Sequence, residues 1–256
     1  MSVLPGAEPF SHDGNDIGVV VSHGYTGTPQ GVRPWAQHLA DAGYSVRLPR
    51  LPGHGTTWKE LATTRWPDWY AALDSEFREL HETCRHVFVA GLSMGGLLAT
   101  MLAIEHGPRV SGLLLVNPVF KHDNLALPLL PALRHLVPSL PGVIGDIKKV
   151  GGEREIGYDR NPLQAMYSQT QAWSEVSRDL PEVTQPVLLM HSRVDHVVPA
   201  LSSAWFLSRI SSTDVREVWL EDSYHVATLD NDAPLINAES VQFVERLSAV
   251  EGRSVG

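Results

Sequence analysis

The sequence predicts an α/β fold, a mostly parallel central sheet flanked by helices and interrupted by one small insertion, on three observations. From residue 18 onward, short β-branched runs alternate with longer stretches of helical period, the pattern of βα units. That rhythm stops between Phe120 and about Thr170 and resumes at Val187. Finally, 256 residues of which 43% are apolar, with seven Trp, six Phe and six Tyr, suffice for one full core.

Taken in order, Gly18–Ser22 reads as the first strand, and Val32, Trp35 and Leu39 recur on one helix face until Gly43 ends that helix. Ser45–Leu48 is the next strand. Pro67 opens a helix whose buried stripe is Tyr70, Leu73, Phe77 and Leu80, and His86–Ala90 is a third strand. Leu97, Leu98, Met101 and Leu102 make the following helix apolar on several sides, as befits one packed under the centre of a sheet; Gly112–Val116 is a fourth strand. The insertion has prolines at 128, 131, 138, 141 and 162 and few strand signals, yet Leu127, Leu129, Leu130, Leu133, Leu136, Leu140, Val143 and Ile144 make it too apolar for a disordered linker. After it come a strand at Val187–Met190, a helix around Ala200–Ile210, a strand at Arg216–Leu220 and a last helix from about Asn237 to Val250.

Bulk properties exclude several functions. A net charge of −9 argues against nucleic acid as a partner, because neutralising phosphates needs clustered Lys and Arg. The single cysteine, Cys84, permits neither an intrachain disulfide nor a cysteine-rich zinc site. No H-E-x-x-H, Walker or dinucleotide fingerprint occurs, so no metal or other cofactor is expected. Met1–Phe10 lacks a basic region followed by an apolar core, and no apolar run is long enough to span a bilayer, which makes a cytoplasmic location the expectation.

Gly91-Leu92-Ser93-Met94-Gly95 fits G-x-S-x-G, the nucleophile elbow of α/β-hydrolases, and it sits between a strand and a helix as that turn requires. A serine hydroxyl needs a base to take its proton as it attacks. In this fold the order along the chain is Ser, then Asp or Glu, then His after the last strand. Of twelve histidines, His225 alone follows the last predicted strand by a short loop. Asp195 is the only carboxylate in Ser192–Pro199, the loop after the Val187–Met190 strand, and would hold the imidazole with Nε2 toward Ser93. Two backbone donors should face the developing oxyanion: the Met94 N–H, next to the nucleophile, and the Tyr25 N–H in the loop His23–Gly27. His54, between Gly53 and Gly55, reads as a loop-shaping residue. A hydroxyl rather than a carboxylate at position 93 favours acyl transfer to water over dehalogenation or epoxide opening.

The segments Gly6–Phe10, Val21–Pro29, Leu48–Thr56, Gly91–Gly96, Asp195–Pro199 and Ser223–Asp230 together resemble the bacterial monoacylglycerol lipases and their close carboxylesterase relatives, α/β-hydrolases all. The resemblance runs through nearly the whole chain except parts of the insertion. It implies a triad of Ser93, Asp195 and His225, an oxyanion hole from Tyr25 and Met94, and a core of residues 1–119 and 171–256 with a cap at 120–170. It further implies substrate contacts by Glu155, at the place of the family's glycerol-binding cap glutamate, and by Ile144. Tyr25 departs from the family's common Phe. The expected substrate is a monoacylglycerol; a general short-chain carboxylesterase and a triad-retaining ligand sensor are the alternatives. The expected partners are otherwise limited to transient membrane-surface contact through the cap, in a monomer or weak homodimer.

Overall fold

A computed structural model describes residues 2–124 and 127–250; residues 1, 125, 126 and 251–256, which belong to the expected core and cap ranges, lie outside the described residues. The first half comprises β1 (Phe10–His12), β2 (Ile17–Ser22), α1 (Arg33–Asp41), β3 (Ser45–Leu48), α2 (Trp58–Leu61), α3 (Trp66–Thr83), β4 (His86–Leu92), α4 (Met94–His106) and β5 (Gly112–Val116). Then follow α5 (Leu130–Leu136), β6 (Ser139–Pro141), β7 (Arg160–Pro162), α6 (Leu163–Asp179), β8 (Val187–Ser192), α7 (Leu201–Leu207), β9 (Val215–Leu220) and α8 (Ala233–Val250). Seven strands form one sheet in the order β1-β3-β2-β4-β5-β8-β9, parallel except for β1 against β3.

Strict alternation with both faces covered explains why the inner strands read as continuous apolar runs. Val19 and Val21 of β2 join Phe88, Leu114 and Leu188 on the face packed by Trp35 and Leu39 of α1 and by Ile236 and Phe243 of α8. Val20, with Val87, Val89, Leu113 and Leu189, packs on the opposite face against Leu73 and Phe77 of α3, Leu97 and Leu98 of α4 and Val176 of α6. The edge strand β9 is more exposed and carries Arg216, paired with Glu239 of α8, a charged edge that discourages pairing with another chain.

Five features differ from the sequence expectation. The three-residue β1 carries too short a signal to read. β4 runs on to Leu92, directly into Ser93, and α8 starts four residues earlier than expected, at Ala233 rather than Asn237. Within the insertion, β6 and β7 form an antiparallel ribbon with Ser139 opposite Pro162 and Pro141 opposite Arg160. Proline removes a ladder donor and so argues against a strand, but a two-stranded ribbon has outward edges where proline is tolerated. Finally, α6 passes without a break through residue 170, where the insertion was expected to end. No described helix is long and apolar enough to cross a membrane.

Candidate active site

Ser93 occupies the turn between β4 and α4 with φ 56 and ψ −117, a region that costs a side-chain-bearing residue about 1–3 kcal/mol. The surroundings impose it. Ser93 N–H donates to the Val116 carbonyl (3.0 Å), and its own carbonyl accepts from Gly96 N–H (3.0 Å) and Val119 N–H (3.3 Å). The turn closes only because two neighbours lack side chains: a Cβ on Gly91 would stand 2.2 Å from the Gly95 carbonyl, and one on Gly95 2.2 Å from the Ser22 carbonyl of β2. Met94 opens α4, where first-turn N–H groups have no partner inside the helix. The loop bearing Tyr25 lies beside the turn, since a Cβ on Gly24 would approach Ser93 Cβ to 3.4 Å.

His225 and Asp195 come from the loops after β9 and β8, and Nδ1 of the first lies 2.7 Å from Oδ2 of the second. The other carboxylate oxygen accepts from the Val197 and Val198 N–H groups at 2.8 and 2.7 Å, which fixes the plane of the carboxylate. Asn117, at φ 43 just past β5, ties the His225 loop to the end of β8, from which the Asp195 loop departs: its Nδ2 donates to the His225 carbonyl (2.8 Å) and its Oδ1 accepts from Ser192 N–H (2.7 Å). Burial by itself lowers the affinity of the His225 imidazole for a proton. The charge and hydrogen bond of Asp195, reinforced by Glu155 and Asp146, outweigh burial and hold the ring above its ordinary value.

Ser93, His225, Tyr25 and Glu155 line one cavity of about 330 Å³, with Asp195 behind His225. Glu155 sits where burial pushes its carboxyl above the usual carboxylate range, opposed by the Gly145 N–H that it accepts at 2.8 Å and by nearby His225. Ile144 is placed apart. It lines a neighbouring groove shared with Gly145, whereas Val143 and Gly145 line the main cavity. The main cavity also receives residues that sequence reasoning missed: Asp146 and Asn161 from the insertion, His122, Trp173 of α6, and His196 beside Asp195. Only His196 carried a signal, its adjacency to the predicted acid; Trp173 sits on α6, a helix the sequence reading did not place, and the others lie where no period reports side-chain direction.

His23 and His54 are buried side by side at 5.0 Å. Burial brings His23 down to about 4, and its Nε2 accepts from Leu51 N–H (3.2 Å) while Nδ1 donates to the Gly24 carbonyl (3.0 Å), a neutral ring that shapes the loop carrying Tyr25. His54, also lowered by burial, meets the edges of Tyr25 and Trp69. Among the described residues no group of three or more His, Cys, Asp or Glu side chains is arranged to hold a metal ion.

Residues 15–232 match the protein family described as Serine aminopeptidase, S33. The chain is 37% identical over 241 residues to a thermostable monoacylglycerol lipase of Bacillus sp. (strain H-257), covering 94% of this chain and 95% of that one. It is 23% identical over 242 residues to a carboxylesterase of Bacillus subtilis (strain 168), covering 94% of this chain and 97% of that one. A solved structure from the metagenome-derived lipolytic enzymes LipS and LipT superposes with a TM-score of 0.92 at 41% identity, over 96% of this chain and 100% of that one. The monoacylglycerol lipase of Paleococcus ferrophilus, at 18% identity and a TM-score of 0.77 over 94% of this chain and 99% of that one, shares the fold. With its parallel sheet, its strand-to-helix serine turn and these likenesses, the chain belongs to the serine aminopeptidase S33 family and is a serine hydrolase of the α/β-hydrolase fold.

Proposed function

We propose that this protein hydrolyses monoacylglycerols to glycerol and fatty acid through an acyl-enzyme on Ser93. The observation that carries the reading is the lining of one cavity by Ser93 and His225, the latter held by Asp195 at 2.7 Å. His225 Nε2 takes the hydroxyl proton as Ser93 Oγ attacks the ester carbonyl carbon. The resulting oxyanion is stabilised by the Tyr25 and Met94 N–H groups. Collapse breaks the bond to the glycerol oxygen, which leaves with the proton from His225. Water then attacks the acyl carbonyl carbon, His225 again taking the proton, and collapse breaks the bond to Ser93 Oγ, which recovers that proton from His225 as the fatty acid is released.

Residues 120–170 act as the cap over this site. The apolar wall made by Val143, Val119, Met166 and Trp173 suits an acyl chain, at roughly 0.8 kcal/mol per buried methylene. Glu155, Asp146 and Asn161 add polar groups to the same cavity, and Glu155 receives a glycerol hydroxyl. Likeness to the Bacillus lipase, named for its action on monoacylglycerols, supports the choice of head group.

Rates over monoacylglycerols and methyl esters of matched acyl length test the reading. Faster hydrolysis of the glycerol esters, lost in Glu155→Gln, is the expected result. Equal rates for both head groups would sink the glycerol assignment, and falling rates with longer chains would make the enzyme a short-chain carboxylesterase.

A further inference from the structure

The segment Gly145–Lys149 crosses the loop that carries His225 without forming helix or strand; Ile147 N–H turns back on the Gly145 carbonyl (2.8 Å), and the N–H groups of Gly145, Lys148 and Lys149 take partners from outside the segment. Carboxylates supply them. Asp230, 1% exposed, accepts from Lys148 N–H (2.6 Å) and Lys149 N–H (2.8 Å) while also holding Tyr224 N–H (2.9 Å) and Asn231 N–H (2.8 Å) of its own loop. Glu155 takes Gly145 N–H, and Lys148 Nζ meets Asp222 at 2.6 Å. In the reverse direction, Asp146 Oδ2 accepts from the N–H groups of His225 (3.1 Å) and His196 (3.2 Å), its Oδ1 receives His196 Nδ1 (2.8 Å), and its carbonyl accepts from Val226 N–H (3.0 Å).

The structure assigns Asp146 a positioning role for His225: its carboxylate holds the base's backbone from the inserted segment while Asp230 holds that segment from the base's own loop, so each is set only when the other is seated. The assignment rests on the reading of Ser93 and His225 given above. A tether alone needs no charge, because a neutral carbonyl accepts the same N–H groups and burying a carboxylate is costly. The Asp146 side chain is nonetheless 11% exposed beside an imidazole that must become positive in each proton transfer. The charged and titratable groups that face His225 are Asp195, Glu155 and Asp146, with His196 sharing the Asp146 charge and Tyr224 packed on His196 at 4.6 Å. Position and charge together therefore make Asp146 more than a strut.

The test is the pH dependence of kcat/KM for a soluble short-chain p-nitrophenyl ester, paired with proton NMR of the Nδ1–H between His225 and Asp195, which reads the imidazole without turnover. Wild-type protein is first treated with a fluorophosphonate; failure to label Ser93 would overturn the catalytic reading itself, separately from the role of Asp146. Asp146→Asn is expected to lower the midpoint of the acid limb and of the NMR titration by about half a pH unit or more. Its plateau rate should fall about tenfold or more, through loss of placement. Asp230→Asn loosens the same segment without removing a charge that faces His225, so the rate falls while the midpoint moves less than in Asp146→Asn. Should Asp146→Asn fail to fold, His196→Gln, at a side chain 53% exposed, leaves the Asp146 charge unshared and moves the midpoint upward. Midpoints for Asp146→Asn and His196→Gln that coincide with wild type, or equal shifts in Asp146→Asn and Asp230→Asn, would overturn the assignment while leaving the labelled Ser93 in place.

Discussion

His225 and Asp195 stand 30 residues apart in the chain, yet Nδ1 of one and Oδ2 of the other are 2.7 Å apart with both side chains less than a tenth exposed. Because the second oxygen of Asp195 is already engaged by Val197 and Val198, the first has one direction left to face, and the ring is thereby held in the tautomer with Nε2 free to accept. Asp195→Asn should keep the packing and lower turnover about 10⁴-fold, through the wrong tautomer. Steady-state rates on a short ester, with circular dichroism to confirm folding, check this; a loss below tenfold would remove Asp195 from the mechanism.

The pH profile follows from the same pair. Burial opposes protonation of His225, but Asp195, Glu155 and Asp146 together raise the ring above its ordinary 6.5. Imidazolium cannot take the Ser93 proton, so kcat/KM should fall as pH drops through a midpoint above 6.5. For stability the sign is opposite: a raised folded-state value favours the folded protein fully below 6.5, and the contribution fades as pH rises through the folded value. Asp195→Asn, which removes the largest raising influence, should bring the NMR midpoint of the ring down. A wild-type acid limb centred below 6.5 would contradict the electrostatics of the site.

At the serine turn the controlling contact is between main chains. A Cβ on Gly95 would lie 2.2 Å from the Ser22 carbonyl, and neither backbone can yield without moving α4 off β2. Gly95→Ala should therefore destabilise the protein by about 1–3 kcal/mol or more, as overpacking does. Urea unfolding measures it, and an unchanged midpoint would mean that the turn is looser than its contacts require.

Tyr25 reaches across to the start of α6, where its hydroxyl donates to the Pro162 carbonyl at 2.9 Å. Tyr25→Phe, the residue common among the lipases that the chain resembles, leaves that part-buried carbonyl without this donor and should cost about 1–3 kcal/mol. The backbone N–H of residue 25 remains. Denaturant unfolding of the variant decides whether the hydroxyl fastens the inserted segment to the core; a midpoint equal to wild type would show that it does not.

Sequence alone was enough for six of the sheet's seven strands, the serine turn and the order Ser93, Asp195, His225, because each rests on something local or ordered along the chain: period-2 and helical spacing, a pentapeptide between strand and helix, a loop after a given strand. It failed where the chain loses its period. Val143 and Gly145 rather than Ile144 reach the main cavity, and Asp146, 79 residues from His225, grips its backbone. Asn117 joins the loop that presents His225 to the end of β8, which leads into the Asp195 loop, through bonds spanning 108 and 75 residues. In such segments the direction of a side chain is set by whichever distant N–H or carboxylate satisfies it, and burial then fixes the choice, since an unpaired polar group inside costs more than the bond contributes. The chemistry of the candidate site was legible in one dimension; the hold of the inserted segment on its histidine exists only in three.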